Sequence, residues 1–381
     1  MHRLEDAREL AAAVADPPGL LRGNTPILID EWQRLPEVWD LVRRAVDDGA
    51  SGGSFLLTGS AVPNPPPMHS GAGRIVSLRM RPLALSERLG TATVSLATLL
   101  SGERAPIRGQ TEIRVGGYVE EILASGLPGV RGYAPRVRRS QLQGYVERIV
   151  DRDIPDDAGV TIRNSAALRR WMAAYAASSS TTASFETIRD AASPGEHHKP
   201  AKLTAAAYRD ALERIWVLDE VPAWIPTRNR LRELAQASKH QLADPALAAQ
   251  LLGVQPETLL KGGCTGPGVP RDGTLLGALF ESLATLSVRV YAAHNEARIG
   301  HLRTARGRQE IDLIVEGRAG RVVAIEVKLR STIRDEDGKH LRWLAEKLGD
   351  QVLDQVILTT GPYAYRRKDG IAVVPLALLG P

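Results

Sequence analysis

The sequence contains a single cysteine among its 381 residues, which excludes an intrachain disulfide and a cysteine-rich metal site. It has no stretch of about 18 uninterrupted apolar residues, and its first residues carry mixed charge without an apolar core. Neither a membrane span nor a secretion signal is therefore expected. Together these absences predict a protein of the reducing cytoplasm with no membrane partner.

Lysine is also scarce. Of the 49 basic residues only 8 are Lys and 41 are Arg, against 44 acidic residues and a net charge of +5. The planar guanidinium suits phosphate and carboxylate, so this balance permits an anionic partner, although a biased genome composition would give the same excess. With 43% apolar and 24% charged residues, the chain has the composition of a folded globular protein.

The length suits two or three domains of about 100–200 residues each. The pattern of apolar runs and Gly- or Pro-rich stretches predicts three, of which the first alternates strands and helices, the second is mostly helical and the third is again α/β. Their predicted bounds are 1–135, 136–260 and 274–381, with a glycine-rich linker at 261–273.

In the first segment, a short apolar strand over Pro26–Ile29 ends in Asp30 and Glu31. A helix opening at Pro36 and a second strand over Phe55–Leu57 follow. This order favours a parallel sheet with crossover helices, which places the two carboxylates at the edge where such sheets bind ligands.

A buried strand that ends in two acids has the form of a Walker B strand. In that chemistry Asp30 would hold the Mg²⁺ of a nucleotide and Glu31 would position the attacking water. Thr58 or Ser60, after the second strand, would sense the γ-phosphate, and Arg74 is the best single cation to contact phosphate. The alternative is a plain sheet whose acids only cap the next helix.

Several stretches resemble the AAA-type ATPase module of a prokaryotic family whose C-terminal half is the domain of unknown function 4143. The resemblance extends over nearly the whole chain and implies a P-loop ATPase-like protein that takes ATP and Mg²⁺. The stretches are LIDEWQRLPEVWD, FLLTGSA, SGAGRI, RMRPLALSERL and YVERIVDRDI.

The chain departs from this family at the phosphate loop. No G-x-x-x-x-G-K-[ST] string occurs in the 381 residues. Asp30 lies about thirty residues after Met1, where the second strand of such a module would be, so we expect the parallel sheet to be truncated at its N-terminus. The sequence as printed predicts poor ATP binding, and an in-frame phosphate loop upstream of Met1 would restore the ATPase hypothesis.

The third segment carries a second set of acids. A hairpin is predicted over Glu310–Glu316 and Arg321–Leu329, with Asp312 opposite Glu326 and with Lys328 on the same face as Glu326. Like charges opposed across a ladder are destabilising unless a cation lies between them, and either Mg²⁺ or Lys328 would serve.

This D…E-x-K arrangement resembles the core of the PD-(D/E)XK nucleases. The resemblance implies that Asp312 and Glu326 hold a metal that activates water, and that Lys328 stabilises charge on the phosphate. Glu281, on a predicted helix, matches the accessory acid, and His340 is a weaker candidate. The alternative is a surface Glu–Lys contact without function.

The middle segment is compatible with a winged helix, since a helix over Thr204–Ile215 leads into an extended stretch over Trp216–Ile225. On such a fold the helix would meet nucleic-acid phosphates, and the alternative is a solvated helix face. The residues that would line it are Lys199, Lys202, Tyr208, Arg209 and Arg214.

Three functions follow from these patterns. The leading one is an AAA-type ATPase-like protein that acts on or binds nucleic acid, and which turns over ATP only if an upstream phosphate loop exists. The second is a metal-dependent nuclease that uses Asp312, Glu326 and Lys328 without ATP. The third is a non-catalytic DNA-binding or regulatory protein in which both sites are relics; a protein partner or a homo-oligomer is compatible with each.

Overall fold

The computed structural model describes the chain in eight stretches, and they divide into two compact units. Unit 1 comprises Met1–Met80, Glu147–Ser165 and Lys202–Val217, and unit 2 comprises Arg81–Val146, Ala166–Ala201 and Leu218–Pro381. The predicted three-part division stays a prediction, and most of the predicted linker 261–273 lies outside the described residues. The described stretches are 1–61, 70–104, 106–156, 164–193, 199–225, 237–262, 274–304 and 307–381.

The strands are β1 His2–Arg3, β2 Ile27–Asp30, β3 Phe55–Thr58, β4 Val94–Ser95, β5 Gly109–Gln110, β6 Arg298–Arg303, β7 Glu310–Glu316, β8 Val322–Lys328, β9 Val352–Thr359, β10 Tyr363–Arg366, β11 Ala372–Pro375 and β12 Leu379–Gly380.

The helices are α1 Ala7–Ala15, α2 Glu37–Asp47, α3 Leu85–Leu89, α4 Leu96–Ser101, α5 Val115–Ala124, α6 Pro128–Arg131, α7 Pro135–Arg148, α8 Ile154–Asp156, α9 Ser165–Ala177, α10 Phe185–Ala191, α11 Lys202–Arg214, α12 Pro245–Leu251, α13 Pro256–Leu260, α14 Leu275–His294 and α15 Lys339–Leu348.

Unit 1 is built on a parallel sheet in the order β1-β2-β3. Ile27 pairs with Phe55 and Asp30 with Thr58, so β2 and β3 end at the same edge. On α2, Val38 and Val42 are buried at a spacing of one helical turn and pack against Ile29 of the sheet. The predicted parallel sheet with a crossover helix is therefore confirmed.

Unit 2 contains a seven-stranded mixed sheet in the order β5-β10-β11-β9-β8-β7-β6. The predicted hairpin is confirmed, because β7 and β8 are antiparallel, with Leu313 opposite Ile325 and Glu316 opposite Val322. β9 lies parallel to both β8 and β11. The apolar side chains of β7 and β8 are buried, and some of them form a core cluster with Leu341 and Leu344 of α15.

Helix α14 is the core helix of unit 2. Among the described helices it is the one with the length and hydropathy of a membrane span, and 78% of that window is buried inside the protein. Thr274 caps its first turn by accepting a hydrogen bond from the Gly277 N–H. Burial of this apolar helix accounts for its composition without a bilayer.

A fully buried carboxylate, Asp244, joins two loops of unit 2. It caps α12 by accepting from the Ala246 N–H at 2.8 Å, and its other oxygen accepts from the Ser125 hydroxyl at 2.6 Å and the Gly126 N–H at 2.7 Å. A Cβ on Gly126 would lie 2.7 Å from the Leu83 carbonyl oxygen, so only glycine allows this close approach.

The middle of the chain is shared between the units, since α9 and α10 belong to unit 2 and α11 to unit 1. After α11 the chain runs extended, and Leu218 and Val221 form antiparallel bridges with Leu242 and Lys239. A winged helix in this region stays a prediction.

Two of the residues predicted to line a basic face on α11 make contacts within the protein. Tyr208 is buried, and Arg209 forms ion pairs with Asp210 and Glu213 on the same helix. Nucleic-acid binding by this helix stays a prediction.

Candidate functional site

At the carboxyl edge of the unit 1 sheet, Asp30 and Thr58 stand side by side on adjacent parallel strands. The Thr58 hydroxyl donates a hydrogen bond of 2.6 Å to Asp30 Oδ1. Two residues predicted from separate strands, 28 positions apart, are thus in direct contact. The carboxylate is held in a fixed orientation at the place where an α/β sheet presents its ligand-binding groups.

Glu31, the second acid, begins the turn after β2 in a left-handed backbone conformation, with φ of 54°. Non-glycine residues seldom adopt this region, and such positions cluster at functional sites. The Glu31 carboxylate accepts hydrogen bonds from the Gln33 amide and, at 3.2 Å, from the Ser60 hydroxyl. Gln33 also donates to Ser60 at 3.0 Å, so it completes a site that sequence reasoning had described without it.

Arg74, predicted to contact phosphate, is placed elsewhere. Its Nε lies 2.7 Å from Asp47 Oδ1, and its Nη1 donates to the Ala72 carbonyl at 3.1 Å. Asp47 ends α2, whose first turn follows the carboxyl edge of β2, and the two ends of the helix are about 15 Å apart. The hydrogen bond from Arg74 holds the pKa of Asp47 below its usual value. In this conformation Arg74 pairs with a helix end instead of lining the carboxylate edge.

In unit 2 the predicted acids of the hairpin meet at the open end of the β7–β8 ladder. The pairing of Leu313 with Ile325 places Asp312 and Glu326 opposite each other at the next position. Asp312 Oδ2 accepts a hydrogen bond of 2.8 Å from the Val327 N–H, and Glu326 Oε2 accepts one of 2.7 Å from Lys328 Nζ. Glu326 is only 2% exposed and Lys328 is partly buried, so this pair differs from the surface contact that was the alternative.

Glu281 joins the same cluster from α14, but through a residue that the sequence did not indicate. Lys239 Nζ lies 2.7 Å from Glu281 Oε1 and 2.9 Å from Asp312 Oδ1, and 3.6 Å from Glu310 Oε1. The lysine is 1% exposed. A cation near the opposed acids was predicted, and the structure places two there: Lys239 contacts Asp312, and Lys328 contacts Glu326.

The buried charges shift one another's proton affinities. Burial would lower the pKa of Lys239, but the carboxylates of Asp312 and Glu281 raise it above its ordinary value. Burial would raise the pKa of Asp312, yet Lys239 and Lys328 hold it well below its usual range. For Glu281, burial and the neighbouring Asp312 together raise the pKa to about 8. Asp312 is therefore the ionised partner of the two lysines.

Glu326 differs from Asp312 in its environment. Burial and the nearby Asp312 charge raise the pKa of Glu326 well above its ordinary value. Its Oε1 atom is buried and has no hydrogen-bond partner within the described part of the chain. One carboxylate oxygen of the cluster is thus left without the partner that a buried polar atom normally has.

A cavity of about 280 Å³ opens next to Lys328. Arg330, which lines it, is paired at 3.2 Å with Asp337. His340 contacts the Gln309 side chain, and burial and the nearby Lys339 lower its pKa. Protonation of His340 is thus disfavoured, and the positive charge of the cavity comes from the other basic residues. The lining residues are Lys328, Arg330, Glu336, Asp337, Lys339 and His340.

The fit of a metal to these clusters can be judged from the donors. Among the described residues, no group of three or more His, Cys, Asp or Glu side chains is arranged to hold a metal ion. At the predicted nuclease site the oxygens of Glu281 and Asp312 that would face a metal face the Lys239 ammonium instead. The cluster in this conformation does not fit a divalent cation.

Comparison with known proteins gives three family matches. Residues 2–89 match the AAA domain, residues 116–258 a domain of unknown function (DUF8612) and residues 276–379 a domain of unknown function (DUF4143). The first and third matches confirm the resemblance found in the sequence motifs.

Two curated relatives are similar along most of the chain. They are uncharacterized proteins of Mycobacterium bovis and Mycobacterium tuberculosis, each 26% identical over 375 residues, which is 96% of this chain and 72% of the relative. No solved structure matches the chain.

Proposed function

We propose that this chain, which combines an N-terminal AAA domain with a C-terminal domain of unknown function (DUF4143), binds a magnesium nucleotide in unit 1 and nucleic acid in unit 2. The observation that carries the first part is the 2.6 Å hydrogen bond between Thr58 and Asp30, at the shared carboxyl edge of β2 and β3. An AAA domain implies ATP as the ligand of that edge.

The residues of unit 1 suit this ligand. Carboxylate oxygens are preferred by Mg²⁺, and Asp30, held by Thr58, is the group that would bind it. Bound Mg²⁺ would neutralise charge on the phosphates. Glu31, fixed by Gln33 and Ser60, would orient a water molecule toward them. The lack of a G-x-x-x-x-G-K-[ST] string in this sequence predicts weak binding, since the amides and lysine of that loop normally hold the phosphates.

Thr58→Val tests this assignment, because valine keeps the shape of threonine and removes the hydroxyl that orients Asp30. A hydrogen bond to a charged group contributes about 1.5–3 kcal/mol, so we expect the Kd for Mg·ATP to rise about tenfold or more. Isothermal titration calorimetry on the purified chain measures the change. Thr204→Val, at an exposed position on α11 of the same unit, is the matched control and should bind as the unaltered protein does. Equal affinity of T58V and T204V, or no Mg·ATP binding by the unaltered chain, would contradict the proposal.

For unit 2 the geometry favours binding of nucleic acid without cleavage. Two of the acids predicted for a nuclease, Glu281 and Asp312, do converge, but they contact Lys239. An ammonium group cannot replace the metal ion that activates water in such enzymes. Three basic residues, Lys328, Arg330 and Lys339, line one cavity. They outnumber its two acids, Glu336 and Asp337, which favours a phosphodiester as the ligand.

Lys339→Ala tests the contribution of this cavity. Removing one phosphate contact should weaken DNA binding several-fold at low salt and reduce the slope of log K against log salt by about 1. Fluorescence anisotropy with a labelled duplex at several salt concentrations measures both. Lys347→Ala carries the same charge change on the same helix but does not line the cavity, so it should leave the slope unchanged.

Two results would overturn the second part of the proposal. One is that K339A and K347A show the same slope of log K for DNA binding against log salt. The other is Mg²⁺-dependent DNA cleavage that D312N and E326A both abolish, because this would restore the metal-dependent nuclease.

A further inference from the structure

The carboxylate cluster of unit 2 contains a cation of its own, supplied by a residue outside the predicted site. Lys239 Nζ touches Glu281 on α14 and Asp312 on β7, at 2.7 and 2.9 Å. The lysine therefore links the core helix to the central hairpin. No part of the D…E-x-K pattern contains it.

The backbone of Lys239 is fixed before its side chain enters the cluster. Its N–H and carbonyl exchange two hydrogen bonds of 2.9 Å with Val221. Two residues earlier, the Ala237 carbonyl lies 3.1 Å from Nε2 of the buried His301 on β6. Lys239 thus reaches the acids from a segment held on two sides, which defines where its ammonium lies.

The ammonium and a divalent cation cannot occupy this position together. Mg²⁺ binds carboxylate oxygens at about 2.0–2.1 Å and Ca²⁺ at about 2.3–2.6 Å. An ion bound to both Glu281 Oε1 and Asp312 Oδ1 would lie almost on top of Lys239 Nζ, which is already within hydrogen-bond distance of each. Steric overlap and charge repulsion both oppose it.

Without the lysine charge, the same cluster would have more carboxyl groups than cations. Glu281, Asp312 and Glu326 would then have Lys328 as their neighbouring cation, while Glu310 would keep its contact with Arg303 at 3.7 Å. The buried Oε1 of Glu326, which has no partner among the described residues, would be available as a further ligand. The carboxyl oxygens of Glu281, Asp312 and Glu326 are donors of the kind that a hard divalent cation prefers.

We propose that the ammonium of Lys239 occupies the position at which Glu281, Asp312 and Glu326 would otherwise bind a divalent metal ion. The inference rests on the second part of the proposed function, binding without cleavage, and gives its cause. Because the lysine is part of the chain, its positive charge compensates the carboxylates without a bound metal ion. A metal ion can bind there only when the Lys239 side chain is displaced or removed.

Substitution of Lys239 by methionine tests the proposal, because methionine keeps the length of the side chain and removes the charge. Mn²⁺ is the probe, followed by the electron paramagnetic resonance signal of the free ion and by the melting temperature. The unaltered protein should bind no Mn²⁺ at 1 mM at this site. K239M should melt at a lower temperature than the unaltered protein, bind one Mn²⁺ with a Kd at least tenfold below that concentration, and recover melting temperature when Mn²⁺ is added.

Two further variants separate the cluster from other sites. K239M/D312N lacks an essential oxygen ligand and should neither bind Mn²⁺ tightly nor be rescued by it. K239R retains the positive charge and should behave as the unaltered protein. Folded K239M that fails to bind Mn²⁺ would overturn the proposal.

If K239M does not fold even with Mn²⁺, the effect of Mn²⁺ on the melting temperature of the unaltered protein tests the proposal. Mn²⁺ that raises its melting temperature, in a manner lost in D312N, would show a site already open and would overturn the proposal. DNA binding by the unaltered protein is measured separately. Its loss would refute the proposed function but would leave the Mn²⁺ results standing.

Discussion

Replacement of Asp312 by alanine is expected to lower the free energy of unfolding of unit 2 by about 3–5 kcal/mol, because it breaks a buried ion pair from one side. The change removes the acceptor of the Val327 N–H and one of the two close partners of Lys239. The lysine is 1% exposed, so water cannot replace the lost carboxylate. Urea denaturation followed by circular dichroism measures the loss.

A surface acid of the same unit provides the control for this prediction. Glu346→Ala, at an exposed position on α15, should change the free energy of unfolding by no more than about 0.5 kcal/mol. D312N, which keeps one oxygen acceptor but loses the charge, should fall between the two. A loss below 1 kcal/mol in D312A would show that the cluster readily admits water or rearranges.

The second large effect is expected from Asp244→Ala, which should lower the free energy of unfolding of unit 2 by about 3 kcal/mol or more. Three donors lose their acceptor together: the Ser125 hydroxyl and the N–H groups of Gly126 and Ala246. Each buried donor left without a partner costs about 1–3 kcal/mol. The same denaturation experiment measures the effect.

The matched control is Asp6→Ala, which removes the exposed cap of α1. Asp6 accepts from the Arg8 and Glu9 N–H groups at the helix start, where water can replace it. Its loss should cost about 1 kcal/mol. A cost for D244A no larger than that for D6A would mean that burial of the Asp244 network adds nothing.

The elements that could be predicted from the sequence are those with a strong local pattern. The apolar runs of β2, β3, β7 and β8 fixed their positions, and the register of the hairpin followed from the short connection between its strands. Asp30 and Thr58 were predicted at the ends of neighbouring strands, and the register of the parallel pair brings them into contact. β5, only two residues long, has no such pattern and exists because it pairs with β10.

Lys239 and Arg74 could not be placed by the same reasoning. The need for a cation near Asp312 and Glu326 was evident from the strand register, and Lys328, one of the two predicted sources, does pair with Glu326. The ammonium that contacts Asp312 belongs to Lys239, which lies 73 residues earlier and is placed by long-range packing. Arg74 follows a Pro- and Gly-rich stretch of sequence that has no helical or strand periodicity. Its ion-pair partner, Asp47, could therefore not be identified from the sequence. Residues brought together by tertiary contacts leave no trace in local spacing.

The division of the chain also bears on how the protein is made. Unit 1 draws on Met1–Met80, Glu147–Ser165 and Lys202–Val217, with stretches of unit 2 synthesised between them. At about 5–20 residues per second, the ribosome completes the last of these stretches on the order of ten seconds after the first. The parallel sheet therefore emerges early, whereas the unit that contains it is completed only once α11 has been translated.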